Sequence, residues 1–272
     1  MNRSNIKHSI FHIFHISLVA ALLIAIPLSA QQPTGREIME MFKAQERTKD
    51  TSVEFKMTII NARGSQRERE VTQVTKTDEN DNRKQLIRFL SPADVAGTGF
   101  LSIEYSDRND DNWLYLPALR KTRRIAGSDK TDSFIGTEFT YEDLDTETLD
   151  AYEYRLTGSA NIDGIESWVI EAIATDFKKI KETGYSKREL WISKDHHLVI
   201  QTKFYDKDGA YVKLFKTSDI RQVPGTDKWR PFYLSMEEVR KGDRTVLSMT
   251  DYKINQGVED QFFSERYLKR GR

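Results

Sequence analysis

The residues able to do chemistry are few. His196 and His197 stand side by side after Lys194 and Asp195, and the other three histidines, His8, His12 and His15, all fall within the first fifteen residues. Histidine is the side chain whose ordinary titration lies nearest neutrality, so a hydrolytic base is the first idea to weigh. No G-x-S-x-G elbow accompanies the pair, and the chain has no cysteine to act as a thiolate. A serine base through either histidine stays open on sequence, but a polar turn between two strands reads more simply as a solvated tip. Two acidic runs invite calcium. Asp107-Arg-Asn109-Asp-Asp111 opens like a calcium loop, but Asn112 stands where the sharp turn needs Gly and Ala118 where a bidentate Glu belongs. Asp78-Glu-Asn80-Asp-Asn82 departs in the same places, with Arg83 and Phe89. Glu142 and Asp143 form a carboxylate pair of the glycosidase kind, yet among 42 acidic residues such pairs arise by chance. Last comes a basic cluster, Arg120, Lys121, Arg123 and Arg124, which reads either as a solvated face or as a contact for lipid headgroups or an acidic partner. The expectation is therefore no enzyme, no metal and no cofactor.

Charge and targeting narrow the class further. The chain has 272 residues with 42 Lys and Arg against 42 Asp and Glu. Arg3 and Lys7 lead into the apolar run Ile16 to Ile26, followed by Pro27, Leu28, Ser29 and Ala30. A basic start, a short apolar stretch and small residues are the layout of a secretory signal peptide, here cut near Ala30. The run is too short for a membrane-spanning helix, which needs about 20 apolar residues. Removing residues 1–30 leaves 40 basic and 42 acidic side chains, a formal charge of −2. That near-neutral balance argues against nucleic acid, and the reading is an exported protein with residues 31–272 as one domain.

The elements that position these groups follow from periodicity. Thr34 and Glu37 have capping-box spacing, so a helix is expected from there to about Arg47, with Ile38, Met41 and Phe42 on its apolar stripe. The pattern then changes. Val53, Phe55, Met57 and Ile59 alternate with polar residues, as in a strand with one wet face. Asp163-Gly164, Asp208-Gly209 and Gly242-Asp243 each join two alternating segments, as hairpin turns do. About ten or eleven strands in meander order are expected, with a short amphipathic helix over 258–268 and the helices on the concave side of a curled sheet. Such a sheet leaves apolar lining uncovered, with Val53, Phe55, Met57, Ile59, Phe89, Phe100, Trp113, Tyr115, Trp168, Ile170 and Phe232 as the candidate lining of a cavity. Between Pro117 and Asp150 alternation fails, and Phe134, Ile135 and Phe139 stand among acids. A stretch of that length without periodicity in a folded domain reads as a lid or a binding loop.

Three motifs carry a family likeness: Ser91-Pro92-Ala-Asp94-Val95-Ala-Gly97-Thr98; Trp113-Leu-Tyr115-Leu-Pro117-Ala-Leu-Arg120-Lys121 with Arg123-Arg124-Ile125; and Ser133-Phe134-Ile-Gly136-Thr-Glu-Phe139-Thr-Tyr141-Glu142-Asp143-Leu144. Together they resemble the outer membrane lipoprotein-sorting family related to LolA. The resemblance implies a LolA/LolB-like half-open antiparallel β-barrel closed by helices, with a hydrophobic cavity that shields acyl chains. It implies a periplasmic carrier of lipid or lipoprotein, in transient contact with membranes and working toward the outer membrane with an inner-membrane transporter of the resistance-nodulation-division type. It supplies no catalytic residue. Arg120, Lys121, Arg123, Arg124, Phe134 and Phe139 become candidates for the lid or partner contact. The rival is a sensor or adaptor subunit on the same fold. An open apolar cavity of several hundred Å³ would favour the carrier and a filled barrel the adaptor.

Overall fold

The computed structural model describes residues 32–270, so the expected signal peptide lies outside the described residues. Thr34 caps the first helix as its spacing predicts. Its hydroxyl accepts from the Glu37 amide while the Glu37 carboxylate accepts from the Thr34 amide at 2.7 Å, and α1 runs Gly35–Glu46. Thirteen strands follow, more than the ten or eleven that alternation suggested. They are β1 (Asp50–Ile60), β2 (Gln66–Thr77), β3 (Arg83–Ser91), β4 (Gly99–Glu104), β5 (Asp111–Leu116), β6 (Lys121–Arg124) and β7 (Tyr152–Ile162). The second half holds β8 (Ile165–Ala174), α2 (Phe177–Thr183), β9 (Tyr185–Ser193), β10 (Val199–Asp206), β11 (Tyr211–Gln222), β12 (Trp229–Glu238), β13 (Asp243–Ile254) and α3 (Glu265–Arg270). The shortest of them, β6, lies inside the stretch that showed no period.

All thirteen form one antiparallel sheet in the order β6-β5-β4-β3-β2-β1-β13-β12-β11-β10-β9-β8-β7. The two edges, β6 and β7, do not pair, so the sheet is not closed. Turn chemistry sets the register where Asp163 and Gly164 both take positive φ, 51° and 89°, as a two-residue hairpin requires.

Alternation sorts the apolar residues onto two faces. The inner face carries one cluster around Phe55, Met57, Phe89, Phe100, Phe204 and Met236, and a second under α1 made by Ile38, Met39, Ile170, Leu190 and Ile192. The outer face of β3 to β5 carries Leu86, Leu101, Trp113 and Tyr115, covered by α3 through Phe263 and Leu268. Thus α1 lies on the inner face as expected, whereas the C-terminal helix does not. Its seat is explained by Arg88, buried on the outer face, whose guanidinium donates to the Tyr267 and Leu268 carbonyls at 3.0 and 3.3 Å. Gly99 allows the approach, because a Cβ there would stand 2.7 Å from the Leu268 side chain.

Candidate functional site

What fills the inner face is the chain itself. After β6, residues 125–148 cross that face as a strap and return to the sheet at β7. The first half of the strap is fastened by aromatic packing. Ser133 and Thr140 form a single bridge, the Phe134 amide donates to the Phe139 carbonyl at 2.8 Å, and Ile135 and Gly136 at the tip take φ of 50° and 72°. A β-branched residue in that region is strained, and the neighbours that hold it are clear. The Ile135 carbonyl accepts from the buried Arg69 guanidinium at 2.8 Å. Phe134 is 2% exposed, with its ring centroid 6.0 Å from Phe89, 5.6 Å from Phe100 and 5.4 Å from Tyr141. Phe139 packs edge-on against Phe215 at 6.4 Å.

The second half is fastened by charge. Four carboxylates lie within six residues, and each meets a cation. Glu142 pairs with Lys179 at 2.9 Å, Asp143 with Lys213 at 3.0 Å, Asp145 with Lys130 at 2.5 Å and Glu147 with Arg188 at 2.7 Å. The Tyr185 hydroxyl also donates to Asp143 at 3.1 Å, and the Tyr154 hydroxyl donates to Glu147. These groups are largely withdrawn from water, and their titration shows it. Burial would raise Glu147, but the bidentate Arg188 overrides it and holds the acid below its usual range. Asp145 goes the other way. Burial, reinforced by Glu104 and Glu142 and only partly offset by Lys130, pushes it up to about 7. Burial and the Asp143 carboxylate together raise the Tyr185 phenol. A cavity of about 210 Å³ remains between the acidic half of the strap and the sheet. Its lining is mixed, with Phe42, Phe139, Phe204 and Phe215 beside Glu142, Lys179 and Arg188.

The expected lining residues separate into four places. Val53, Phe55, Met57, Ile59, Phe89 and Phe100 meet on the inner face against the strap. Ile170 and Trp168 lie under α1. Phe232 is half-buried, 6.1 Å from the Tyr252 ring with the Arg221 guanidinium over it at 4.9 Å. Trp113 and Tyr115 do not join them. Their strand alternates Trp113 and Tyr115 against Leu114, and it is Leu114 that faces inward, so both aromatic residues pack on the outer face under α3.

The stretch expected to act as one lid divides as well. Phe134 and Phe139 belong to the strap, whereas Lys121, Arg123 and Arg124 form the edge strand β6, with Arg120 in the turn before it. Arg123 is taken by Asp129 at 2.8 Å and Arg124 by Asp111 at 2.5 Å, so one acid of the calcium-like run serves as an arginine partner. Asp78 is used by its own turn, accepting from the Asn80 and Asn82 amides. The histidines are not a solvated tip: His196 stacks on Trp229 at 4.1 Å and His197 on Trp168 at 5.9 Å. Motif reading missed the bases Lys213 and Arg188. Their signal was a charge at an inward position of an alternating strand, opposite the inward Phe204 in both registers.

A family model described as an uncharacterized protein matches residues 81–270. No curated protein matches. Among solved structures, a putative outer membrane lipoprotein-sorting protein domain from Vibrio parahaemolyticus is 32% identical, with 87% of this chain and 98% of that one covered at a TM-score of 0.79. A DUF1329 family protein from Desulfovibrio piger is 31% identical over 86% and 97% of the two chains, with a TM-score of 0.80. A LolA superfamily protein from Nitrosomonas europaea, at 19% identity and a TM-score of 0.66 over 87% of this chain and all of that one, shares the fold. The open sheet with its strap is thus a half-open barrel of the LolA kind.

Proposed function

The chain belongs to the outer membrane lipoprotein-sorting family, and from that premise we propose that it is a periplasmic carrier of lipid or lipoprotein acyl chains. Residues 31–272 are then the exported domain. The observation that supports the reading is the apolar inner face beneath a strap that no disulfide secures and that no regular ladder ties to the sheet. Cargo takes the ground that Phe134 and Phe139 occupy in the closed form. Each CH₂ moved from water to such a face is worth about 0.8 kcal/mol, so part of two acyl chains would match the contacts the strap gives up. Specific polar recognition is unnecessary, and no catalytic group enters the reading. Transfer toward the outer membrane follows by competition from an acceptor, with an inner-membrane transporter of the resistance-nodulation-division type as donor.

One observation favours a second reading. The inner face is filled, and a filled barrel suits an adaptor or sensor subunit that grips a protein partner. Native mass spectrometry of the protein taken from its own envelope decides between them. Acyl-bearing species bound one to one support the carrier. A protein that is always empty, ignores fluorescent fatty-acid probes and co-purifies with a stable partner would establish the adaptor.

A further inference from the structure

Leu119, on the turn between β5 and β6, is 62% exposed. It is held out by a rigid turn. Pro117 opens the turn with its φ fixed, the Arg120 amide closes it on the Pro117 carbonyl at 3.0 Å, and Arg120 itself takes φ 50°. A non-glycine residue in the left-handed region at the tip of a turn is a cost that the fold maintains. Leu90, at the end of β3 on the neighbouring side, is 49% exposed. Among the described residues only four large apolar side chains are exposed, and two of them lie here.

Around Leu119 the charge is one-sided. The turns at this end of the adjoining strands, 61–65, 92–98, 117–121 and 239–243, are continuous in sheet order and carry five Lys or Arg against two Asp or Glu. Contacts join them, since Pro117 packs by Gly97 and the Ala62 amide donates to Asp243 at 2.9 Å. The connections at the opposite end of the same strands, 47–49, 78–82, 105–110, 223–228 and 255–260, carry four bases and eight acids. Arg123 and Arg124 are engaged by carboxylates, but Arg63, Arg120, Lys121 and Lys241 are exposed and form no ion pair among the described residues. The protein is nearly neutral overall, so this is a separation of charge along the strands and not an excess.

We propose that the Pro117–Lys121 turn and the basic turns beside it are a docking surface for a bilayer bearing anionic headgroups, with Leu119 as the inserted side chain. A leucine at the tip of a cation-flanked turn combines the two forces that hold peripheral proteins: burial of apolar area at the acyl boundary and attraction of Lys and Arg to anionic lipid. The acidic opposite end is repelled by the same surface, so the field also sets orientation. Arg69 and the strap tip at Ile135 lie at the docking end, which places the strap's exit from the inner face close to the membrane. The role of this surface rests on the carrier reading, while its geometry does not.

Co-sedimentation of the exported protein with vesicles of phosphatidylcholine, alone or mixed with phosphatidylglycerol, tests the proposal. Binding is expected only with phosphatidylglycerol and should weaken as salt is added. Leu119→Asp should reduce the bound fraction about tenfold, and Arg120→Glu with Lys121→Glu at least as much, at about fivefold for each cation lost. Tyr233→Asp, an exposed site on the middle of β12, should leave binding unchanged. Equal binding to both vesicles, or equal binding by wild type and Leu119→Asp, overturns the proposal. So does indifference to vesicles combined with loss of a protein partner in the variants, which would reassign the surface to that partner. Fatty-acid probe uptake measured without vesicles separates the two ideas: uptake without docking defeats only this surface, and docking without uptake defeats only the carrier.

Discussion

Helix α1 and the strap both cover the inner face, and they are fastened by opposite chemistry. Under α1, Ile38 and Met39 are fully buried among Ile170, Leu190 and Ile192, with no ion pair at the contact's centre. Gly35 lets the helix start against the β7 backbone, where a Cβ would stand 2.6 Å from the Tyr154 carbonyl oxygen. The helix ends on Arg230, itself buried, whose guanidinium donates to the Gln45 and Glu46 carbonyls at 3.1 and 3.3 Å. The strap has aromatic anchors at Phe134, Phe139 and Tyr141 and then a row of withdrawn ion pairs. Apolar burial stabilises outright, whereas a buried ion pair roughly cancels its own desolvation and mainly fixes geometry. The helix is therefore the permanent cover, and the strap is a precisely seated one whose charged half gives up little free energy when it leaves, so that its release turns on the aromatic half that cargo can replace.

The largest effect that follows lies under the helix. Ile38→Ala should remove about 2–5 kcal/mol from global stability, as deletion of a fully buried aliphatic side chain does, and chemical denaturation with an unchanged m-value is the measurement. If the strap is separable, Phe134→Ala behaves differently although Phe134 is nearly as buried. Its global cost should stay under about 3 kcal/mol, because the strap can undock instead of leaving a cavity. Amides of 130–147 should lose hydrogen-exchange protection while those of β8 and β9 keep theirs, and probe uptake should rise. A global loss as large as that of Ile38→Ala, with protection lost everywhere at once, would make both covers one cooperative unit.

This contrast was only half legible in the sequence. The capping box at Thr34, the alternation of Val53 to Ile59 and the Asp163-Gly164 turn are local signals, and each led to the element observed. Periodicity also brought six of the eleven lining candidates together under the strap. It misled at Trp113 and Tyr115, because two-residue alternation assigns residues to faces without saying which face is inner, and α3 offered the outer face a cover of its own. The strap was visible as a stretch without period but not as a plug. Its path is set by pairs distant in sequence, such as Asp143 with Lys213 and Glu147 with Arg188, which no local pattern can announce.

Among the strap's ties Asp145 is the one that sharpens the contrast by pH. Lys130 faces it at 2.5 Å, and Lys130 is shared with Asp110 at 2.8 Å and Glu142 at 3.9 Å. Glu104, paired with Arg83 at 2.5 Å, and Glu142, paired with Lys179, complete the charged surroundings. The folded value of about 7 lies above the ordinary 3.8, so the seated strap holds the Asp145 proton more tightly than the free chain does. The sign follows: this contribution is fully present below the ordinary value, declines as pH rises, and is lost by about pH 7. Strap protection in the wild type should therefore fall between about pH 4 and pH 7, by at least about tenfold, relative to Asp145→Asn, whose amide stands in for the neutral acid. Protection around Ile38 should not change with pH in either protein. Parallel pH profiles for wild type and Asp145→Asn would remove Asp145 from the latch.

The smallest effect lies at the far end of α1, where the two turn histidines stack on tryptophans. His196 lies over Trp229 with the rings 15° apart, beside the arginine that caps the helix, so its contribution belongs to the permanent cover. His196→Ala should cost about 0.5–1.5 kcal/mol, the range of an aromatic pair, seen as a small drop in the denaturation midpoint. His196→Phe should restore most of it, since stacking needs a flat ring and no proton. Probe uptake and strap protection should stay at wild-type values in both variants. A loss of uptake that Phe fails to rescue would give the imidazole a chemical part that its place against Trp229 does not call for.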